Sequence, residues 1–154
     1  MHPLAHMLTG ALIGQMAGNP VVAVAGRLVS HALLDTIPHT EGRTFNPEAR
    51  QTPSLLTPEL IEAGLEFVAG AVIVGWLLGG CPAVHGGPVA LGILGALLPD
   101  LVDQPLERLF QINLLHIRGL HWTVARRHAL WGILTQLAVA GTAGLALWRE
   151  AGCG

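Results

Sequence analysis

Histidine and aspartate fall in this sequence at spacings that suit a metal ion. His31 and Asp35 are four residues apart, so on a helix both project from one face. His39 follows one turn later, just past Pro38. Asp100 and Asp103 are three apart and form a second helical pair. His116 and His121 are five apart, which is not one helical face, so at least one stands on a turn, and Gly119 supplies it. His6 near the start and His128 further on complete the group. Neutral imidazole nitrogen and carboxylate oxygen are ligands for zinc, manganese or iron, and this set could hold one ion or two. Plainer readings stand beside each residue. A lone histidine at a membrane edge is commonly interfacial, Asp100 after Pro99 is also a helix-end residue, and Arg27 offers Asp35 a structural ion pair two turns away. No G-x-S-x-G, P-loop or G-x-G-x-x-G word is present.

The elements that must position these residues are apolar. Hydrophobic residues make up 51% of the 154-residue chain and charged residues only 12%, against about 25% in ordinary soluble domains. Too few charges remain to coat a soluble globule of this size. All eight basic residues are arginine, and the net charge of −2 offers no basic surface for nucleic acid. The expected fold is therefore all-α: a small integral membrane bundle of about five helices, the first two short, forming one domain over residues 1–154. Met1 to His6 carry no Lys or Arg, so the start of the chain does not read as a cleavable signal peptide.

Five segments can be marked. The first runs from about Pro3 to Ala17 and is broken by Gly18-Asn19-Pro20. The second runs from Val21 to about Ile37, closed by Pro38, and a polar loop fills 39–57. The third opens at Thr57-Pro58-Glu59, an N-cap, a first-turn proline and an acidic first turn, and ends at Gly79-Gly80. Cys81 to Pro88 reads as a loop, Val89 to Leu98 as a short fourth segment, and 101–122 as a polar amphipathic stretch. The fifth runs from about Thr123 to Trp148. Its uncharged stretch from Ala129 to Trp148, flanked by Arg126-Arg127 and Arg149, has the roughly 20 residues that span the hydrocarbon core. Phe67 to Gly80 is clean but short, and the first two segments are marginal spans, read as a hairpin with its polar groups turned inward. Gly10 and Gly14 are four apart, as are Gly75 and Gly79, while Gly92 and Gly95 are three apart, spacings that let helices approach closely in lipid.

Five alternating crossings sort the polar residues. His2, His6, His31, Asp35, His39, Asp100, Asp103, His116, His121 and His128 all fall on one side, and His85 alone among the histidines falls on the other. The site-side loops also carry Arg43, Arg50, Arg108, Arg118, Arg126 and Arg127, whereas the far side has only Arg149 near its edge. Positive charge stays cytoplasmic, so the N-terminus and the site are expected to face the cytoplasm, in a prokaryotic inner membrane. Cys81 and Cys153 then share the opposite, oxidising side, where a disulfide between them could tie the third segment to the fifth.

The words Ser30-His31-Ala32-Leu33-Leu34-Asp35, Gly95-Ala96-Leu97-Leu98-Pro99-Asp100 and His116-Ile117-Arg118-Gly119-Leu120-His121 resemble those of the membrane-bound metal-dependent hydrolase family. Its members carry an early histidine and L-P-D-x-D-H, H-R-G-x-T-H-S and S-H-x-x-x-D words. His6, His31, Asp35, Asp100, His116 and His121 match in type. Asp103 comes three residues after Asp100 rather than two, Gln104 stands in place of His, Trp122 in place of Ser, and the S-H-x-x-x-D word comes early, so the chain resembles a distant or rearranged member. The resemblance implies metal-assisted hydrolysis at the membrane face, with His6, His31, Asp35, Asp100, His116 and His121 available as ligands; local spacing adds His39, and zinc is expected ahead of manganese or iron. Asp103 is then a base or ligand, and His121 or His128 a proton donor. An amphiphilic ester, phosphoesters included, is the expected substrate, and membrane lipid the expected partner. The alternative is a non-catalytic subunit of a larger membrane complex.

Overall fold

The computed structural model describes residues 3–40, 58–110 and 122–153. Among these the chain is all-helical: α1 (Pro3–Ala17), α2 (Pro20–Asp35), α3 (Pro58–Gly80), α4 (Gly86–Phe110) and α5 (Ala129–Glu150), with a 3-10 turn at Arg126–His128 leading into α5. The only β-type pairing among the described residues is an isolated parallel bridge between His39 and Thr123.

At about 1.5 Å per residue, α1 and α2 reach only about 22–24 Å, short of a hydrocarbon core of about 30 Å. Three helices are long and apolar enough to cross a membrane, over Ile61–Gly80, Gly86–Asp103 and Ala129–Glu150. Their outward faces carry Leu65, Val68, Val72, Trp76, Leu130, Leu137 and Leu145, all more than half exposed, an apolar coat that lipid solvates and water does not.

The short first helix is the hub: α1 packs against all four other helices. Its buried residues, Ala5, His6, Met7, Leu8, Gly10, Ala11, Gly14 and Gln15, lie all round it, the pattern of a helix enclosed by others. Gly10 and Gly14 bring α1 against α4. A Cβ on Gly10 would stand 2.7 Å from the Gly92 carbonyl oxygen and 3.0 Å from Ala96 Cβ, and one on Gly14 would overlap the Pro88 carbonyl. Gly75 and Gly79 have no described atom within 4 Å of such a Cβ, so among the described residues only the first of these two four-residue pairs makes a close helix contact.

Gly18, at φ +60°, makes the turn into α2. The Asn19 side chain caps that helix by accepting from the amides of Val21 at 2.9 Å and Val22 at 3.4 Å, and Pro20 fills the first helical position, where a missing N–H costs nothing. The segment after α2 is pinned beside residues 122–124: Trp122 N donates to Asp35 O (2.9 Å), His39 N to Trp122 O (3.2 Å) and Val124 N to His39 O (2.9 Å).

The fourth helix corrects the sequence reading. It runs unbroken from Gly86 through Pro99 and Pro105 to Phe110, where a short segment ending at Leu98 and a separate polar stretch were expected. Proline removes one ladder bond and crowds the preceding turn, but inside a bundle neighbouring groups re-satisfy the freed backbone. The opposite end of the bundle is fastened covalently. Cys81 and Cys153 form a disulfide with Cα atoms 5.0 Å apart, Trp76 stacks on Trp148 with ring centroids 5.0 Å apart, and Gln15 reaches from α1 to accept from His85 N at 2.8 Å and donate to Ala83 O at 2.7 Å. His85 is thus at the disulfide end, away from His6, His31 and Asp35.

Candidate metal centre

Three helices converge to build a buried polar cluster. His6 comes from the first turns of α1, Arg27, His31 and Asp35 from α2, and Asp100 from the middle of α4. His6, Arg27, His31 and Asp35 are all less than 5% exposed. Their spacing on α2 explains the arrangement: residues 27, 31 and 35 are successive i,i+4 positions on one stripe, and that stripe faces α1 and α4.

Asp35 sits between the two histidines. Its Oδ1 is 3.4 Å from His6 Nε2 and its Oδ2 is 3.3 Å from His31 Nε2. The two rings stack with centroids 4.2 Å apart and an 18° angle between planes. The outer nitrogens are held too. His31 Nδ1 lies 2.8 Å from the Ala96 carbonyl oxygen. His6 Nδ1 lies 3.2 Å from Arg27 Nη2, which also donates to the His6 carbonyl at 2.8 Å. Arg27 Nη1 donates to Ser30 Oγ, and Arg27 Nε is buried with no acceptor among the described residues. Proline explains part of this. Pro99 has no N–H to give the Gly95 carbonyl, and the next carbonyl on that loosened turn, Ala96, accepts from His31.

His6, His31 and Asp100 each bring a ligand atom within 4.8 Å of the others, so the group could hold a metal ion. The donor set is nitrogen and oxygen, suited to zinc, manganese or iron. Metal bonds of about 2.0–2.2 Å at tetrahedral angles place two ligand atoms roughly 3.3–3.5 Å apart, and the separations of 3.3 and 3.4 Å around Asp35 match that edge. They exceed the roughly 3.2 Å limit of a good N–H···O bond.

The other residues singled out in the sequence fall as follows. His39 is fully buried beyond the end of α2, with Nδ1 2.7 Å from the Ile37 carbonyl. Asp103 is buried one turn after Asp100 on the same helix. His128 is exposed and bonded through Nε2 to Arg127 Nε at 3.1 Å. His116 and His121 lie outside the described residues. Sequence reading missed the part played by Arg27, which it weighed only as a partner for Asp35; the signal was its own i,i+4 spacing to His31. Two further buried polar residues, Thr40 and Gln136, pair doubly: Thr40 Oγ1 donates to Gln136 Oε1 at 2.8 Å and Gln136 Nε2 to Thr40 O at 2.7 Å.

No protein-family model matches the sequence, and neither a curated protein nor a solved structure matches it.

Proposed function

We propose that the chain is a metal-dependent hydrolase of the prokaryotic inner membrane, acting on an amphiphilic ester or phosphoester. The observation that carries the reading is the convergence of His6, His31 and Asp100 within 4.8 Å around Asp35, inside a bundle with three helices able to cross a membrane. Buried ionisable groups in such a setting are expensive and are generally retained for function. A bound zinc or manganese ion would lower the pKa of a coordinated water toward about 7. The chain's own groups supply the rest: Asp35 and Asp100 bring negative charge, the Ala96 carbonyl fixes the His31 ring, and the helices exclude bulk water.

A cavity of about 240 Å³ between α1, α3 and α5 supports an amphiphilic substrate. Leu4, Ile133 and Leu137 give it an apolar wall, Glu62 and Glu66 a polar one, and it shares the first turn of α1 with His6. Two observations support a cytoplasmic site: the arginines cluster on the site side, and the disulfide lies at the opposite end, as an oxidising compartment there requires.

The test is metal analysis of protein purified in dodecyl maltoside, with hydrolysis of a chromogenic alkyl phosphate ester presented in the micelles. Stoichiometric metal, with chelator-sensitive turnover lost in Asp100→Asn, supports the reading. Metal-free protein refutes it. A second reading, a non-catalytic membrane subunit, is favoured by Arg27, whose buried charge beside Asp35 and His6 could hold α1 to α2 without any metal; it is the reading that survives if no metal is found.

A further inference from the structure

The cavity over α1 lies between two membrane-spanning helices, and its walls change character with depth. Glu62 and Glu66, one turn apart, line it at the start of the Ile61–Gly80 span. Trp131, 63% exposed in the first turn of α5, sets this end at the headgroup level, where such rings collect. From there Ile133, Leu137 and Ala140 carry an apolar stripe about 10 Å down α5, toward the middle of that helix. The polar residues of this stretch, Gln136 and Thr40, bond to each other. Carboxylates near the surface and hydrocarbon beneath them repeat the polarity order of a bilayer lipid.

The cavity also opens sideways. Ile133 and Leu137 line it and are still 38% and 60% exposed, so each side chain borders both the cavity and the lipid-facing surface. Ala5 and Ala140, also in its lining, are only 1% and 7% exposed. Among the described residues α3 packs closely on α1 alone. The disulfide after α3 and the Trp76–Trp148 stack join it to the α5 side at the far end, which leaves the cavity as the space between α3 and α5 on the site side. We propose that this space is a lateral portal: one alkyl chain of a bilayer lipid enters between α3 and α5 and lies against Ala5 and Ala140, with its head at the level of Glu62 and of the turn that carries His6. The inference rests on the amphiphilic substrate proposed above and not on the metal, and it names the surrounding bilayer as the source of that substrate. A chain on the outer surface touches one face of the bundle, whereas a chain in the cavity is enclosed by three helices, as ligand sites generally are.

The experiment uses the full chain in vesicles of palmitoyl-oleoyl phosphatidylcholine that carry a trace of the same lipid with a diazirine on its acyl chain. After irradiation the labelled residues are read by mass spectrometry. In the unaltered protein Ala5 and Ala140 should be labelled although both are buried, the equally buried Ala11 should stay unlabelled, and the outward-facing Leu145 should be labelled as by any surrounding lipid. Ala5 and Ala140 as free of label as Ala11 overturn the proposal, and this readout needs no variant. Leu137→Cys then adds a free thiol at the mouth of the cavity, since Cys81 and Cys153 are bridged. Capping it with a pyrenyl maleimide in the folded protein should abolish the Ala5 label and leave that of Leu145; an Ala5 label that survives capping overturns entry between α3 and α5. Metal-free protein that still labels Ala5 supports the portal and overturns the hydrolase reading, whereas metal-bound protein with Ala5 unlabelled does the reverse.

Discussion

Gly10→Ala tests whether the spacing of α1 and α4 sets the metal centre. The new Cβ would lie 2.7 Å from the Gly92 carbonyl oxygen, 3.0 Å from Ala96 Cβ and 3.1 Å from Arg27 Nε. Ordinary contacts lie at about 3.5–4.0 Å, so the helices must part by roughly 0.5–1 Å. Overpacking of this kind costs roughly 1–3 kcal/mol, and alanine's better helix propensity returns up to about 1 kcal/mol, leaving a net loss of up to about 2 kcal/mol. The effect on the site is the sharper one. Gly10 is one turn from His6, and Ala96 is the residue that holds His31. Lengthening the 2.8 Å contact from His31 to Ala96 O by such an amount takes it past the hydrogen-bond range of about 3.2 Å. Metal ligands tolerate only about 0.2 Å, and loss of one supporting contact typically costs 10–100-fold in affinity. Zinc affinity of Gly10→Ala should therefore fall at least about tenfold, measured by competition with a chromophoric chelator. Gly75→Ala is the control, because no described atom lies within 4 Å of its Cβ. It should leave affinity unchanged and stabilise α3 by up to about 1 kcal/mol in a dodecyl sulfate titration. Equal affinities and stabilities in the two variants would refute the reasoning.

Cys153→Ser opens a crosslink spanning 72 residues, which should lower stability by about 4 kcal/mol on the chain-entropy estimate; the unaltered protein should also shift in non-reducing gel mobility when reduced, and an unchanged mobility would mean the bridge is not formed. Gln136→Leu leaves the buried Thr40 carbonyl without its 2.7 Å donor and should cost about 1–3 kcal/mol, read from the same titration. A reporter fused after Gly154 that is active only in the periplasm should be active, and one active only in the cytoplasm should be silent, if the arginine-rich side faces inward.

Much of the fold was legible because it follows from period and punctuation. The break at Gly18-Asn19-Pro20 matches the observed cap, and the His31–Asp35 spacing placed both side chains on one buried stripe. Alternating crossings also put His85 at the end away from His6, His31 and Asp35. The reading stumbled where tertiary packing overrides local rules. Pro99 reads as a stop, yet α4 continues through it because α1 and α2 enclose that turn, and the Ala96 carbonyl beside it finds His31 as a partner. The hub position of α1 was also hidden. A fifteen-residue helix without a marked polar face reads equally as a weak span and as an enclosed helix, and the fit of Gly10 and Gly14 against Gly92 and Pro88 decides between them.

The difference between the enzyme and subunit readings narrows to one small space. Asp35 holds its two oxygens toward two Nε2 atoms that the surrounding groups have prepared differently. The Ala96 carbonyl meets the outer nitrogen of His31, and Arg27 meets that of His6. A second proton on His31 or a metal ion would each place positive charge beside Asp35 Oδ2. With a proton, the cluster is an ion pair that fastens α2 to α1 and α4, and its burial is costly unless every partner is satisfied. With a metal, Asp100 has a reason to lie within 4.8 Å of both histidines. Asp100→Asn therefore separates the readings. It removes a ligand that the metal needs, so loss of metal with a fold still intact by non-reducing gel and dodecyl sulfate titration is the outcome that the metal reading predicts.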